Sequence, residues 1–117
     1  MPLSEALTPH LNLWLERDGQ VVLSVWRVQL LLAIERTGSI SAAAERMQVQ
    51  YRLAWDRLDE MERGLGLRLV DRHAGGAGGG GGHLTVAGRD LVDRFNVLAA
   101  AANDCLAAQF QQSFGDL

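Results

Sequence analysis

The sequence predicts a mainly helical fold with a small β component, a winged helix-turn-helix with an N-terminal β-hairpin and a long C-terminal helix. Three features carry that prediction. Two short helical segments meet at a tight turn near Val49. A run of seven glycines in eight residues, Gly75 to Gly82 broken only by Ala77, separates the apolar stretch Leu67 to Val70 from His83-Leu84-Thr85. From Thr85 a helical pattern continues to about Gln112, with no proline and no glycine after Gly88. Glycines in such a run cannot pack a core, but they let backbone come close to a partner, so the loop is a candidate wing.

At the N-terminal end, Leu11, Leu13 and Leu15 alternate with Asn12, Trp14 and Glu16, and Val21, Leu23 and Val25 follow at the same period beyond Arg17-Asp18-Gly19-Gln20. That is a hairpin pattern, with Asp18-Gly19 supplying the positive φ of a tight turn; Val22 interrupts the alternation. Trp14 is expected to be half-buried on the hairpin's other face, the alternative being contact with a partner subunit. Val28, Leu31, Leu32 and Ile34 give one face to a helix from Trp26 to Thr37, which Gly38 ends as a left-handed cap. Ser39 or Ser41 can cap the next helix, from Ala42 to about Gln48, whose three consecutive alanines allow a close helix crossing.

A third helix runs from about Gln50 to Arg63, with Ala54, Leu58 and Met61 facing the core and Gly64 or Gly66 closing it. Leu67 to Arg72 reads as a strand, His83 to Leu84 as a short return strand, and Thr85 as the N-cap of the final helix. In that helix Leu91, Phe95, Leu98, Ala102, Cys105 or Leu106, and Gln109 or Phe110 recur at alternating spacings of about four and three, the stripe of a helix that packs on another. Ala99 to Phe110 overshoots so small a domain and is expected to meet a second subunit, through Leu98, Ala102, Leu106 and Phe110, or else the hairpin. Residues 1–8 read as a tail, 9–88 as the winged domain with its hairpin, and 89–117 as a C-terminal helix suited to dimerisation.

With 117 residues, 48% hydrophobic and 21% charged, the chain suits one globular domain. The N-terminus lacks the order of a signal peptide and no apolar run approaches the roughly 20 residues that span a bilayer, so a cytoplasmic protein without a membrane partner is expected. Cys105 is the single cysteine, which excludes an internal disulfide, and it is read as a small apolar residue on a helix face. All eleven basic residues are arginines, which suits phosphate recognition but equally reflects a codon bias. The net charge of -3 works against sequence-independent affinity for nucleic acid. Six arginines and six acids balance between Ser39 and His73, so binding depends on where the arginines point and on two copies acting together.

Other chemistries find little support. A P-loop needs Gly-Lys-Ser/Thr, and there is no lysine. Dinucleotide binding needs a βαβ unit, which these helix-rich surroundings do not offer. His73 and His83 bracket the glycines and could face each other across a hairpin, but with no third ligand near they read as exposed strand-end histidines. Asp59, Glu60 and Glu62 fit a solvated helix face, and no nucleophile and base are spaced for catalysis. No enzyme and no cofactor is expected.

Gly38-Ser39-Ile40-Ser41-Ala42-Ala43-Ala44-Glu45-Arg46, followed by Ala54-Trp55-Asp56, the glycines from Gly75, and Leu84-Thr85-Val86-Ala87-Gly88, resembles the N-terminal DNA-binding domain of the ModE family. These are molybdate-responsive bacterial transcription regulators whose domain is related to that of LysR-type regulators. The resemblance spans roughly Leu11 to Phe95. It implies a homodimer on double-stranded DNA, with the third helix in the major groove. Gln50-Tyr51 stands where the family usually has Ser-Tyr, a weaker N-cap. Full-length members carry C-terminal molybdate-binding modules, for which the chain to Leu117 has no room, so molybdate is not expected to bind directly.

The expected DNA-facing set is Ser39, Ser41, Gln50, Tyr51, Arg52, Trp55, Arg72, Gly78, Gly79 and Gly80. Gln50 and Arg52 suit adenine and guanine edges, and Arg72 suits a phosphate unless Asp71 or another acid pairs with it. The glycines offer backbone N–H groups to phosphates. Trp55 either faces DNA or clamps its helix to the wing, the second being favoured. Two rival readings are a winged protein-interaction module that binds no DNA and a small oxyanion- or metal-handling protein.

Overall fold

The computed structural model describes residues 1–72 and 81–117. Gly78, Gly79, Gly80 and His73 lie outside the described residues, so their expected roles have no structural counterpart below. The chain order is α1 (Leu3–Ala6), β1 (Trp14–Arg17), β2 (Gln20–Ser24), α2 (Val25–Thr37), α3 (Ile40–Arg46), α4 (Tyr51–Leu65), β3 (Val70–Arg72), β4 (Gly82–Leu84) and α5 (Val86–Phe114).

The hairpin turn has φ 53° at Asp18 and 78° at Gly19, a left-handed pair that matches the twist of the strands it joins. The strands are shorter than the alternation suggested. Leu11 and Leu13 precede β1, and Val25 opens α2 because the Ser24 hydroxyl accepts the Arg27 N–H at 3.1 Å and caps the helix there. Leu15 pairs with Leu23 but Glu16 with Val21, so Val22 is the extra residue of a β-bulge. The bulge lets Val22 and Leu23 be buried in succession, which a regular strand with one face on the core would not do. Trp14, expected half-buried, is 48% exposed.

The core sits where α2, α3 and α4 cross, with β3 and the start of α5 against them. Leu30, Leu31, Ile34, Leu58, Met61, Leu69 and Val70 are fully buried there. Ala43 and Ala44 face the same cluster, where the absence of larger side chains lets α3 lie close to its neighbours. Ser39 is the N-cap of α3, its Oγ accepting the Ala42 N–H at 3.0 Å, and Ser41 lies within the helix. α2 ends in left-handed Gly38, and Gly66, rather than Gly64, ends α4.

Only Val70 to Arg72 of the expected 67–72 strand pairs, antiparallel with Gly82 to Leu84. Thr85 then ties the start of α5 down twice: its Oγ1 donates to the Arg68 carbonyl at 2.7 Å and accepts the Gly88 N–H at 2.9 Å. Gly88 passes so close to β3 that a Cβ would run into the Leu69 carbonyl oxygen. The Leu-Thr-x-x-Gly spacing is therefore a docking device, with a cap to start the helix and a bare Cα where it crosses backbone.

At 29 residues α5 is about 43 Å long, and it draws the molecule out to 61 Å. Only Gly88, Val92 and Phe95 of this helix are buried. Beyond them α5 meets the N-terminal segment, which is more than a tail: α1 folds back so that the Ser4 N–H donates to the Leu117 carbonyl at 3.2 Å. Leu7 and Pro9 there border an apolar cleft of about 310 Å³ with Leu106, Phe110 and Phe114. Cys105, expected on an apolar face, is exposed, while Leu106 is half-buried. No helix among the described residues is long and apolar enough to cross a membrane.

Candidate nucleic-acid interface

The first turn of α4 is uncovered. Ala54, Leu58 and Met61 turn inward, which at the helical period leaves Gln50, Tyr51 and Arg52 on the open side, all three exposed. Gln50 occupies the N-cap in extended backbone but makes no side-chain capping bond. Arg52 is held in place without being covered: its Nε lies 3.2 Å from Asp56 Oδ1 and its guanidinium carbon 5.4 Å from the centre of the Trp55 ring. Trp55 is half-buried and packs against the core cluster. It is therefore a platform for Arg52 as well as a structural anchor.

Beside this turn lies a cleft of about 450 Å³, lined by Ser39, Ile40, Ser41, Tyr51, Trp55, Arg72 and Gly81. Five of the expected DNA-facing residues, Ser39, Ser41, Tyr51, Trp55 and Arg72, thus share one concavity between the start of α3, the face of α4 and the base of the wing. Gln50 and Arg52 stand at its side on the open turn. The Ser39 Oγ accepts the capping bond of α3 and is only half-exposed, whereas Ser41 and Tyr51 present exposed hydroxyls at the rim.

The wing base is fixed by a residue first assigned to the solvent. Glu62 does not belong to a solvated face: its side chain is only 10% exposed and its partners among the described residues are all donors. Oε2 accepts the Leu69 N–H at 2.8 Å and the Val70 N–H at 3.3 Å, and Oε1 accepts Arg72 Nη2 at 2.6 Å. Arg72 therefore pairs with Glu62 rather than Asp71. Asp71 instead faces His83 across the strand pair, Oδ2 to Nε2 at 3.8 Å.

The return strand has a matching clamp. Glu35 of α2 accepts the Leu84 N–H at 2.5 Å and Arg89 Nη2 at 2.5 Å. The Leu84 hydrogen bond, helped by Arg89 and only partly opposed by burial, holds the Glu35 carboxyl below the usual glutamate pKa. Both glutamates were missed as determinants of the site. Their signal is an acid at an apolar register position: Glu62 follows Leu58 by four residues and Glu35 follows Leu31 by four, so each lies on its helix's buried stripe.

Among the described residues, most arginines of the helix-turn-helix and wing base are paired: Arg52 with Asp56, Arg57 with Glu60, Arg63 with Asp59, Arg72 with Glu62. Arg36 and Arg46, at the C-terminal ends of α2 and α3, are exposed and take part in no ion pair among them.

Two crossed helices, the second bared at its N-terminal end beside a two-stranded wing, define a winged helix-turn-helix protein. Residues 26–89 match the family of bacterial regulatory helix-turn-helix proteins of the lysR family, and the chain belongs to that family. It is similar to the molybdenum-pterin-binding protein MopB of Rhodobacter capsulatus, with 40% identity over 85% of this chain and 36% of the relative. It is also similar to the molybdenum transport protein ModE of Azotobacter vinelandii, with 44% identity over 72% of this chain and 31% of the relative. The chain spans about a third of the length of these curated relatives, and the ModE resemblance drawn from its motifs holds.

The fold matches the crystal structure of the CbnR DNA-binding domain in complex with DNA at a TM-score of 0.58 and 24% identity, covering 74% of this chain and 98% of that one. Full-length CbnR complexed with its target DNA matches at 0.57 and 25% identity, covering 74% of this chain and 29% of that one.

Proposed function

We propose that the chain is the DNA-binding part of a transcription regulator of the ModE type, reading duplex DNA as a homodimer. The observation that carries this reading is the uncovered first turn of α4 beside the cleft at the wing base. Gln50, Tyr51 and Arg52 stand outward there, as side chains that reach base edges in the major groove must. Arg52, braced by Trp55 and Asp56, suits a guanine edge. Ser41, Tyr51 and Arg72 suit the flanking phosphate backbone. Gly78, Gly79 and Gly80 remain candidates for close backbone approach to DNA. The family match and the likeness to proteins solved on DNA support this assignment.

The charge pattern explains why two copies are needed. A chain of net charge -3, with most interface arginines neutralised by neighbours, gains little from counterion release and must bind through directed contacts doubled by symmetry. The long α5 suits the second subunit, through Leu98, Ala102, Leu106 and Phe110. A soluble cytoplasmic regulator without catalytic activity is the corresponding cellular role.

Selection of bound fragments from sheared bacterial genomic DNA tests the reading. Enrichment of a common, imperfectly palindromic site is expected. Arg52→Ala then weakens the selected site roughly 10-fold or more relative to random duplex, the discrimination expected of one base-reading pair. Equal loss on both duplexes would move Arg52 from base reading to phosphate contact. Failure of the wild-type chain to be retained on heparin or duplex at low salt would favour a protein-interaction module.

A further inference from the structure

We propose that Glu62 is a positioning residue for DNA binding: it presents Arg72 to the duplex in a fixed orientation and ties that orientation to the recognition helix α4. The inference rests on the DNA-binding reading above and adds a residue that does not itself touch DNA.

Glu62 projects from α4, the helix that would lie in the groove, but both of its oxygens face the wing. Oε2 takes two consecutive backbone N–H groups at the entry to β3, and Oε1 takes the Arg72 guanidinium at the end of the same strand, with Arg68 Nη1 more distant from that oxygen at 3.9 Å. One carboxylate thus fixes the strand's path and the direction of its terminal cation together. Arg72 remains 27% exposed and lines the cleft with Ser41 and Tyr51. Glu62 engages Nη2 and Nε is buried, so what is left for an incoming anion is the exposed outer end of the guanidinium rather than its whole set of donors. A guanidinium already ordered gives up less freedom on binding than a free one, so the ion pair offers geometry in exchange for part of its charge.

The donor pattern makes the carboxylate hard to replace. Every partner of Glu62 among the described residues is an N–H donor, so glutamine, with one acceptor oxygen and one NH₂ group, must turn a donor toward either the β3 amides or Arg72. Aspartate keeps the charge, but its shorter arm cannot reach both. Each variant releases either the strand or the cation.

The test is a double-mutant cycle of Glu62→Gln and Arg72→Gln, read as affinity for random duplex DNA across a salt series, with folding monitored by circular dichroism. Arg72→Gln is expected to lose roughly 10-fold in affinity and to lower the salt slope by about one phosphate contact per chain. Glu62→Gln is expected to lose a similar factor, and the double variant no more than either single one.

Should Glu62→Gln unfold, Glu62→Asp takes its place and is expected to show a smaller loss that also disappears when Arg72 is absent. A loss from the Glu62 variant that simply multiplies the Arg72 loss would mean a general structural role and overturn the proposal. So would a Glu62 variant with wild-type affinity and salt slope. Failure of the wild-type chain to bind any duplex would instead overturn the DNA-binding reading on which the inference stands.

Discussion

The two ends of α5 make a natural comparison, since one continuous helix serves two environments. Its first ten residues are built into the domain: Thr85 caps it, Gly88 slides past the Leu69 carbonyl, and Val92 and Phe95 enter the core. No later residue of the helix is buried. Val97 is 71% exposed, Leu98 and Phe114 are also exposed, and Phe110 rests against Phe114, with ring centroids 5.2 Å apart. The near half carries Val, Gly and Asp and owes its helix to packing, whereas the far half, rich in Ala, Leu and Gln, has the stronger propensity; what the far half lacks is a surface to pack on. The near half holds the fold together, and the far half offers an apolar face that the α1 segment covers only in part.

The largest expected effect sharpens this contrast at its buried end. Phe95→Ala removes a nearly fully buried ring and should destabilise the chain by about 3–5 kcal/mol, a large share of the roughly 5–15 kcal/mol available to a small domain. Urea unfolding followed by circular dichroism measures it. A cost below about 1 kcal/mol would mean that the domain does not need the near half of α5, and the comparison would fail at its stronger end.

Most of the architecture was legible in the sequence because its punctuation is chemical. Asp18-Gly19, Gly38, Ser39, Gly66 and Thr85 each mark a turn or cap whose geometry only a few residues satisfy, and the structure uses each that way. What failed to show depends on long-range pairing. The β-bulge at Val22 arises because two neighbouring apolar residues both have core to meet, which strict alternation hides. The docking of α1 on the end of α5 depends on a surface some 110 residues away in sequence. At the candidate interface the exposed first turn of α4 followed from periodicity, whereas Glu62 and Glu35 were taken for solvent-facing or passed over. An acid on an apolar stripe is recognisable as a clamp only once its backbone partners are known.

A second prediction concerns the joint between α5 and the wing. Glu35 holds the Leu84 N–H and Arg89 together, and its depressed pKa means that the folded state binds a proton less readily than the unfolded chain. Its contribution is therefore fully present above the ordinary glutamate pKa of about 4.3 and is lost as the pH falls through the lower folded value. Glu35→Gln should cost about 1 kcal/mol near neutral pH, the modest size reflecting a partly exposed pair. The difference from wild type should shrink on acidification, because protonated Glu35 and Gln are then both neutral. Thermal unfolding of the two chains between neutral pH and about pH 3 checks this. A gap that stays constant would place the effect in packing rather than in the charge.

The smallest expected effect on folding tests the far half directly, by making at Phe110 the same change as at Phe95. Phe110 is half-buried and bounded mainly by Leu7, Pro9 and Phe114, so truncating it removes few core contacts. Phe110→Ala should lower the unfolding free energy by less than about 1 kcal/mol, because the ring rests at the surface against the α1 segment and Phe114 rather than in the core. If Leu98, Ala102, Leu106 and Phe110 meet a second chain, the same substitution should weaken association about 10-fold or more, since aromatic side chains dominate such interfaces. Sedimentation equilibrium over a concentration series gives the association, and urea unfolding at a concentration where the chain is monomeric gives the stability. Loss of dimer with stability retained would assign the far half to assembly, whereas a stability loss equal to that of Phe95→Ala would make α5 one continuous structural element. Neither change with Phe110 removed would leave the overhanging turns to some other partner, which the apolar cleft beside Leu7 and Pro9 would then have to accommodate.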